Sequence, residues 1–130
     1  MMLSGLKIQT AAALIAAAST FLWGNADFWL YALIALTALD YLTEVAAAAI
    51  RRELSSQSGY RGIIKKMMFF AVVAVAQMAD RAVGAGGVMR NLVIGFLLGN
   101  EGISILENCG RCGLPVPQAL LQLLEQLKNK

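Results

Sequence analysis

Long apolar runs separated by short polar breaks are the main pattern along this chain. A helix needs about 20 mostly apolar residues to cross a bilayer, and four of the runs are of that order. They predict spans over about residues 6–23, 28–50, 63–82 and 88–106. We therefore expect an all-α membrane protein with about four transmembrane helices, in which residues 1–130 form one integral-membrane domain.

The polar breaks predict how the spans are connected. Residues 25–27 separate the first two runs, and the glycine-rich residues 84–87 separate the last two. Links this short join antiparallel neighbours, so we expect two helical hairpins. The longer polar segment, residues 51–62, then forms the loop between the hairpins.

The sequence changes character after the fourth run. Pro115 and Pro117 stop a helix and then allow a new one to begin, since proline fits the first turn of a helix. Across residues 117–130, leucines recur at helical spacing and the charged residues fall outside their stripe. This pattern predicts a short amphipathic helix that lies on the membrane surface or pairs with a copy of itself. A frayed polar tail is the alternative.

Basic residues predict the orientation in the membrane. The central segment 51–66 holds five Lys and Arg residues against a single acid, Glu53. By the positive-inside rule this segment is cytoplasmic, which places both termini in the cytoplasm and nine of the 11 basic residues on that side. The exceptions, Arg81 and Arg90, flank the outer turn, where Asp80 partly offsets the charge of Arg81.

The first run also fits a secretory signal peptide, because it has a basic start and small residues at positions 16–18. Cleavage there would fall inside the apolar run, and more apolar sequence follows at once. We therefore expect a retained span, with a cleaved signal as the alternative.

Composition argues against several classes of function. Apolar residues make up 58% and charged residues 15% of the chain, whereas a soluble domain carries about 25% charged residues. The chain has no histidine and no visible nucleophile–base pair, so we expect no enzyme activity, no cofactor and no metal. A net charge of +3 without a basic run between aromatics argues against nucleic-acid binding. The C-x-x-C at Cys109 and Cys112 lacks the second pair that a zinc site within one chain needs.

Acidic residues inside the predicted spans are the candidate functional residues. Asp40 and Glu44 are four residues apart, which puts both carboxylates on one helical face. Asp80 lies near the end of the third span, and Glu101 lies in the fourth. A carboxylate at the bilayer centre costs about 2.5–3.5 kcal/mol on insertion scales, so such residues face water or a bundle interior. We predict that these four acids line a pore or set when the bundle opens; structural pairing inside the bundle, for example with Arg81 or backbone donors, is the alternative.

Small residues predict where helices pack. Gly95 and Gly99 form a G-x-x-x-G pair in the fourth span. Residues 11–20 of the first span are mostly alanine, serine and threonine. Small residues at such spacings let helices approach closely, so both features favour helix–helix packing within or between subunits.

Two blocks of sequence carry a family resemblance. The first holds Ala38-Leu-Asp-Tyr-Leu-Thr43, residues 46–50, Glu53-Leu-Ser-Ser56, Gly59, Gly62 and Lys65-Lys66. The second holds Asn100-Glu-Gly-Ile-Ser-Ile-Leu-Glu-Asn108, Gly110-Arg111, Gly113-Leu-Pro115, Pro117 and a leucine-rich helix. In this order they resemble the phage holin family that includes clostridial toxin-secretion holins. The family tends to have glycine at the position of Glu44, and the cysteines of this chain are not typical of it.

The resemblance implies a small phage-encoded or prophage-derived protein of the bacterial cytoplasmic membrane. Such proteins form homo-oligomers in the lipid bilayer and permeabilise it, and the lesion lets an endolysin reach the cell wall without required contact between the two proteins. In toxin-secretion relatives the same type of protein is associated with toxin release. Two other interpretations stay open: an antiholin or other non-pore membrane anchor, and a small ion-coupled transporter. Small multidrug transporters carry their key acid in the first span, where this chain has none.

Overall fold

The computed structural model describes residues 1–129 and is helical, with short turns, over that range. Its helices are α1 (Met2–Trp23), α2 (Phe28–Ile50), α3 (Ser56–Val83), α4 (Val88–Arg111) and α5 (Gln118–Lys128). The first four are long and apolar enough to cross a membrane. The prediction of an all-α membrane protein with about four spans and a short C-terminal helix is confirmed.

Capping groups explain where the helices begin and end. The Asp27 carboxylate accepts a hydrogen bond from the Leu30 amide at 3.0 Å and so caps the N-terminus of α2. Ser55 Oγ accepts one from the Ser58 amide at 3.1 Å and caps α3 in the same way. Gly84 ends α3 in the left-handed conformation, which glycine adopts without steric cost.

Helix boundaries differ from the sequence prediction at several places. α1 begins at Met2, before the predicted start at 6. α3 begins at Ser56, so the second half of the predicted loop 51–62 is helical, because Ser55 supplies its cap. α4 continues to Arg111, past the predicted end at 106, and its polar last turns stay in contact with the bundle. The predicted C-terminal helix 117–130 begins at Gln118; its last residue, position 130, lies outside the described residues.

α4 is the central helix of the bundle. It packs against α2, α3 and α5, whereas α1 packs mainly against α3. The apolar core lies where α2, α3 and α4 meet, and it consists of Leu33, Val73, Ile94, Leu97 and Leu98. In the described structure no residue of α1 is buried, so almost its whole surface is available to lipid or to another protein.

α5 packs antiparallel against α4 of the same chain. Leu124 lies beside Gly102, and Leu127 lies beside Gly95, nearer the start of α4. α5 thus has a partner within its own chain, and the expectation that it lies on the membrane surface or pairs with a second copy stays a prediction. The missing side chains of the α4 glycines leave space for α5, which explains why the two helices dock within one chain.

Candidate functional site

An ionic cluster buried between three of the spanning helices is the candidate site. Lys66 on α3 donates to Asp40 on α2 (Nζ to Oδ2, 2.6 Å) and to Glu101 on α4 (Nζ to Oε2, 3.2 Å). Glu101 is 1% exposed and Asp40 3% exposed. The Lys66 ammonium also lies 5.9 Å from the centre of the Phe69 ring, within the range of a cation–π contact. Charge pairs therefore join α2, α3 and α4.

Asp40 makes the most hydrogen bonds in this cluster. Its Oδ1 accepts from Ser104 Oγ at 2.6 Å and from Asn108 Nδ2 at 3.0 Å, both on α4. Asn108 also donates to Thr43 Oγ1 on α2 at 3.0 Å. Because Ser104 and Asn108 are four residues apart, they share the α4 face that meets Asp40. One carboxyl group thus receives donors from both α3 and α4.

Two carboxyl groups share one ammonium group in this cluster, away from bulk water. Burying an ion is costly unless it is paired, and removing one partner of a buried pair costs about 3–5 kcal/mol. Loss of any one of Asp40, Lys66 and Glu101 would therefore leave a charge buried without its full set of partners. If the helices separate, the same groups need water around them.

A polar cavity of about 270 Å³ lies beside the cluster. Three of the four predicted acids line it: Asp40, Glu44 and Glu101. Glu107 and Arg111 also line it, from the last turns of α4. The structure brings these three acids together around one space, and it places the fourth, Asp80, elsewhere.

Asp80 lies at the opposite end of α3 and caps α4. Its carboxylate oxygens accept from the backbone amides of Met89 at 2.9 Å and Arg90 at 2.7 Å. Its hydrogen bonds go to these amides rather than to Arg81, whose guanidinium lies 5.4 Å from the centre of the Phe21 ring. Within residues 1–129 no ion pair joins Arg81 to a membrane acid: Lys66 is the partner of Asp40 and Glu101, and Asp80 is held by backbone donors.

A second polar cluster surrounds Arg90, which is 5% exposed. Its guanidinium donates to both oxygens of Asp27, from Nη1 to Oδ2 at 2.8 Å and from Nη2 to Oδ1 at 3.1 Å. It also donates to the carbonyl oxygens of Trp23 at 2.6 Å and Asn25 at 3.0 Å. A single α4 side chain therefore fixes the turn between α1 and α2.

Arg90 also determines the charge state of Asp27. Its hydrogen bond is the largest cause that holds the pKa of the Asp27 carboxyl below the ordinary value of 3.8, while burial opposes this shift. Gly24 makes the close approach possible, because its φ is +82° and a Cβ there would lie 3.0 Å from Arg90 Nε and from Gln77 Oε1.

The glycine pair predicted to pack helices lies under α5. A Cβ on Gly99 would lie 2.8 Å from the Leu124 carbonyl oxygen and 2.8 Å from the Lys128 amide nitrogen. A Cβ on Gly95 would make ordinary contacts, 3.7 Å from Trp29 and 3.8 Å from Leu127. Gly99 is therefore the point of closest approach between the two helices.

Sequence reasoning missed the two cations at the centres of these clusters. The sequence pattern indicates only that Lys66 is a cytoplasmic cation and that Arg90 flanks the outer turn. A signal for Lys66 exists, because it is in helical phase with the other buried residues of α3: Val73, Ala76 and Asp80. The same signal exists for Arg90, which is in helical phase with the buried residues Ile94, Leu97 and Glu101 of α4. What the pattern does not give is its partner, which comes from the distant turn between α1 and α2.

The cysteines form no bridge in this structure. Cys109 and Cys112 are free and half-buried at the end of α4. Within residues 1–129, no group of three or more Cys, Asp or Glu side chains is placed to hold a metal ion.

Several bacterial proteins are similar to this chain over most of its length. It is 46% identical over 112 residues to an uncharacterized 14.9 kDa protein in the nagH 3′ region of Clostridium perfringens, and the aligned region covers 85% of each chain. It is 38% identical over 127 residues to an uncharacterized protein of Halalkalibacterium halodurans, and the aligned region covers 94% of each chain. It is 30% identical over 113 residues to the uncharacterized protein YtkC of Bacillus subtilis, and the aligned region covers 87% of this chain and 84% of YtkC.

No solved structure matches the chain. The family comparison matches residues 17–129, a range that contains both polar clusters and all of α2 to α5. On this match, the chain belongs to the bacteriophage holin family.

Proposed function

We propose that copies of this chain assemble in the bacterial cytoplasmic membrane and permeabilise it, so that an endolysin made in the cytoplasm reaches the cell wall and the host cell lyses. The family is one of membrane-permeabilising, non-enzymatic proteins. The endolysin depends on the lesion and needs no contact with this chain. A toxin released by the same cell would leave by the same route.

The buried cluster of Asp40, Lys66 and Glu101 is the observation that carries this proposal. Hydrocarbon cannot hydrogen-bond to these groups, so in the closed bundle they satisfy one another. When α2, α3 and α4 separate, the three groups, together with Glu44, become the polar wall of an aqueous opening. The cluster thus supports a closed, dry state and an open, wet state of the same helices.

Asp80 has a different part in this proposal. It binds the first amides of α4 beside Arg90, so it holds α4 at the end remote from the Asp40 cluster. We assign Asp40, Glu44 and Glu101 to the lining of the opening, and Asp80 to the restraint that α4 must overcome to move.

The proposed orientation puts both termini and the turn between α2 and α3 in the cytoplasm. Support comes from the basic side chains around that turn, which are exposed: Arg51, Arg52, Arg61 and Lys65. In this orientation the Asp40 cluster lies in the cytoplasmic half of the spans, and the Arg90 cluster lies at the outer surface.

Inducible expression in a bacterium tests the proposal, with membrane potential and culture density recorded with and without a co-expressed cytoplasmic endolysin. We expect sudden depolarisation, and lysis only when endolysin is present. Endolysin expressed alone is the control and should leave the cells intact.

Three other outcomes would contradict the proposal. Depolarisation without lysis in the presence of endolysin would indicate a small channel. The absence of depolarisation would favour an antiholin or a membrane anchor. A gradient-dependent flux without lysis would favour a small ion-coupled transporter.

A further inference from the structure

The buried cluster of Asp40, Lys66 and Glu101 holds one more acid than base. Both carboxyl groups are almost fully buried, and both accept a hydrogen bond from the single Lys66 ammonium group. If both were ionised, the closed bundle would enclose one negative charge without a cation to balance it. A buried charge without a partner is costly, and such a group is normally neutralised by a change of protonation. The closed cluster therefore has a place for one proton.

The charged groups around the cluster do not balance the extra acid. Four of them line the adjoining cavity: Glu44 on α2, Lys65 on α3, and Glu107 and Arg111 on α4. They are two acids and two bases, so their charges cancel. Lys65, Glu107 and Arg111 are also exposed, where solvent screens their charges. No residue of α1 or of the described part of α5 lines this cavity, so Lys66 is the cation that the two buried acids share.

Hydrogen bonds distinguish the two buried acids. Asp40 accepts from the Lys66 ammonium and the Ser104 hydroxyl, each at 2.6 Å, and from the Asn108 amide at 3.0 Å. Within residues 1–129, Glu101 accepts only from Lys66, at the longer distance of 3.2 Å. Donors stabilise the ionised form of a carboxyl group, so the negative charge belongs on Asp40 and the proton on Glu101. The two carboxyl groups are also in hydrogen-bond contact with each other, which requires a proton on one of them.

We infer that Glu101 binds a proton in the closed bundle and releases it when the bundle opens. In the open state that the proposed function describes, water surrounds Glu101, and a hydrated glutamic acid is ionised above about pH 5. The closed state therefore binds one proton more per chain than the open state. Protons stabilise the state that binds more of them, so acid favours the closed bundle and a rise in pH favours opening. The inference rests on the proposed function and adds a regulator of the same site.

The polar cavity provides a route for this proton. Glu101 lines the cavity, and so do the exposed residues Lys65, Glu107 and Arg111, so the cavity joins the cluster to the surface of the chain. In the proposed orientation this surface faces the cytoplasm. The cytoplasmic pH is then the one to which the cluster responds.

Infrared spectroscopy of the full-length chain in phospholipid vesicles tests the bound proton without requiring a leak. The carbonyl stretch of a protonated carboxyl group is distinct from the bands of an ionised one. At about pH 6, where hydrated carboxyl groups are ionised, we expect this band in the wild-type chain and not in Glu101→Gln. Glu53→Gln makes the same change on an exposed turn and should keep the band. An absence of the band from wild type, or an equal band in Glu101→Gln, would overturn the inference.

Dye release from the same vesicles tests the control of opening. We expect the wild-type rate to rise between about pH 6 and about pH 8, by up to about tenfold per pH unit, the limit for one proton. Glu53→Gln should follow the wild type. Glu101→Gln resembles the protonated acid and should keep the rate low at every pH.

A second variant guards against a folding defect in Glu101→Gln and tests which acid holds the proton. Asp40→Asn removes the charged acceptor of Lys66, Ser104 and Asn108, so it should release dye faster than wild type at about pH 6, whereas Glu101→Gln should not. The opposite order of the two variants would place the proton on Asp40 and overturn the inference.

The two readouts separate this inference from the proposed function. Dye release that does not vary with pH would overturn the inference and leave the permeabilising activity in place. An absence of dye release at every pH would contradict the proposed function and, with it, the control of opening. The infrared band would still report whether Glu101 holds a proton.

Discussion

The Lys66 ammonium nitrogen lies 2.6 Å from Asp40 Oδ2, although the two residues are on different helices and 26 positions apart in sequence. The neighbouring Lys65 is exposed. Adjacent lysines on α3 therefore have different environments: Lys65 is at the surface, and Lys66 is the buried partner of two acids.

Lys66→Met should destabilise the closed bundle by roughly 3–5 kcal/mol, because both acids lose their shared partner. Lys65→Met removes the same charge from an exposed site and should change the free energy of unfolding by less than about 0.5 kcal/mol. Denaturant unfolding in detergent micelles, followed by circular dichroism, compares the two variants. Equal effects would mean that the Lys66 pairs do not stabilise the bundle.

Asp40→Leu should bring lysis forward after induction. The substitution leaves Ser104 and Asn108 without their acceptor, and each hydrogen bond to a charged group contributes about 1.5–3 kcal/mol to the closed state. Glu53→Leu, which removes a carboxylate from an exposed turn, should leave the lysis time unchanged. Culture density and membrane potential give the time of onset, and unchanged timing and leak for Asp40→Leu would argue against a gating role for the cluster.

Arg90→Lys should weaken the attachment of the α1–α2 turn by about 1–3 kcal/mol, because an ammonium group cannot reproduce the fork that contacts both Asp27 oxygens. Arg81→Lys is the control, since Arg81 is exposed and has no ion pair within residues 1–129. Thermal unfolding in micelles should show a lower Tm for the Arg90 variant alone. A similar Tm for both variants would indicate that the two hydrogen bonds from the Arg90 guanidinium to Asp27 contribute little to stability.

The Asp27–Arg90 pair should lose its stabilising effect in acid. The pKa of Asp27 is lower in the folded chain than its ordinary value of 3.8, so the pair contributes fully above that pH and loses its contribution as the pH falls through the folded pKa. The chain has other acidic side chains, so the informative quantity is the difference in unfolding free energy between wild type and Asp27→Asn. That difference should be constant from pH 7 to about 5 and shrink below about 4; a difference that grows in acid would contradict this assignment.

Gly99→Ala should displace α5 from α4, because its Cβ would meet backbone atoms of Leu124 and Lys128 at 2.8 Å. Gly110→Ala is the matched control: its Cβ would lie 3.8 Å from Val116, and the better helix propensity of alanine should stabilise α4 by roughly 0.5–1 kcal/mol. Limited proteolysis of the C-terminal segment in micelles reports the displacement. Faster cleavage in the Gly99 variant only is the expected result.

The spans could be predicted from the sequence because each is long and apolar enough to be found one at a time. Pairings between spans could not, since depth in the membrane does not say which helices are neighbours. Lys66 and Asp40 can both be read from the sequence, but their contact cannot. It requires α2 and α3 to face each other with the Lys66 side chain directed into the bundle. Ser104 and Asn108 are four residues apart and therefore share a face of α4, but this spacing does not say which acid that face meets.

The start of α3 and the position of α5 could not be predicted from apolar runs alone. The first depends on a capping side chain, and the second depends on which helix meets the apolar face of α5. A single hydroxyl, that of Ser55, decides where α3 begins, and loop and helix are both plausible there from composition alone. The amphipathic pattern of residues 118–128 defines an apolar face but not its partner. Gly99 and Gly102 supply that partner only because α4 turns them towards the last helix.

α1 is fastened to the rest of the molecule at one end only. The Trp23 indole donates to the Phe70 carbonyl oxygen at 2.9 Å and the Trp23 carbonyl accepts from Arg90, whereas within residues 1–129 the first 19 residues make no polar contact with another helix. α2, α3 and α4, by contrast, meet in polar contacts at both ends. The chain is therefore a three-helix core to which α1 is attached at its C-terminal end, and none of the ion pairs of the core depends on the first 19 residues of the chain.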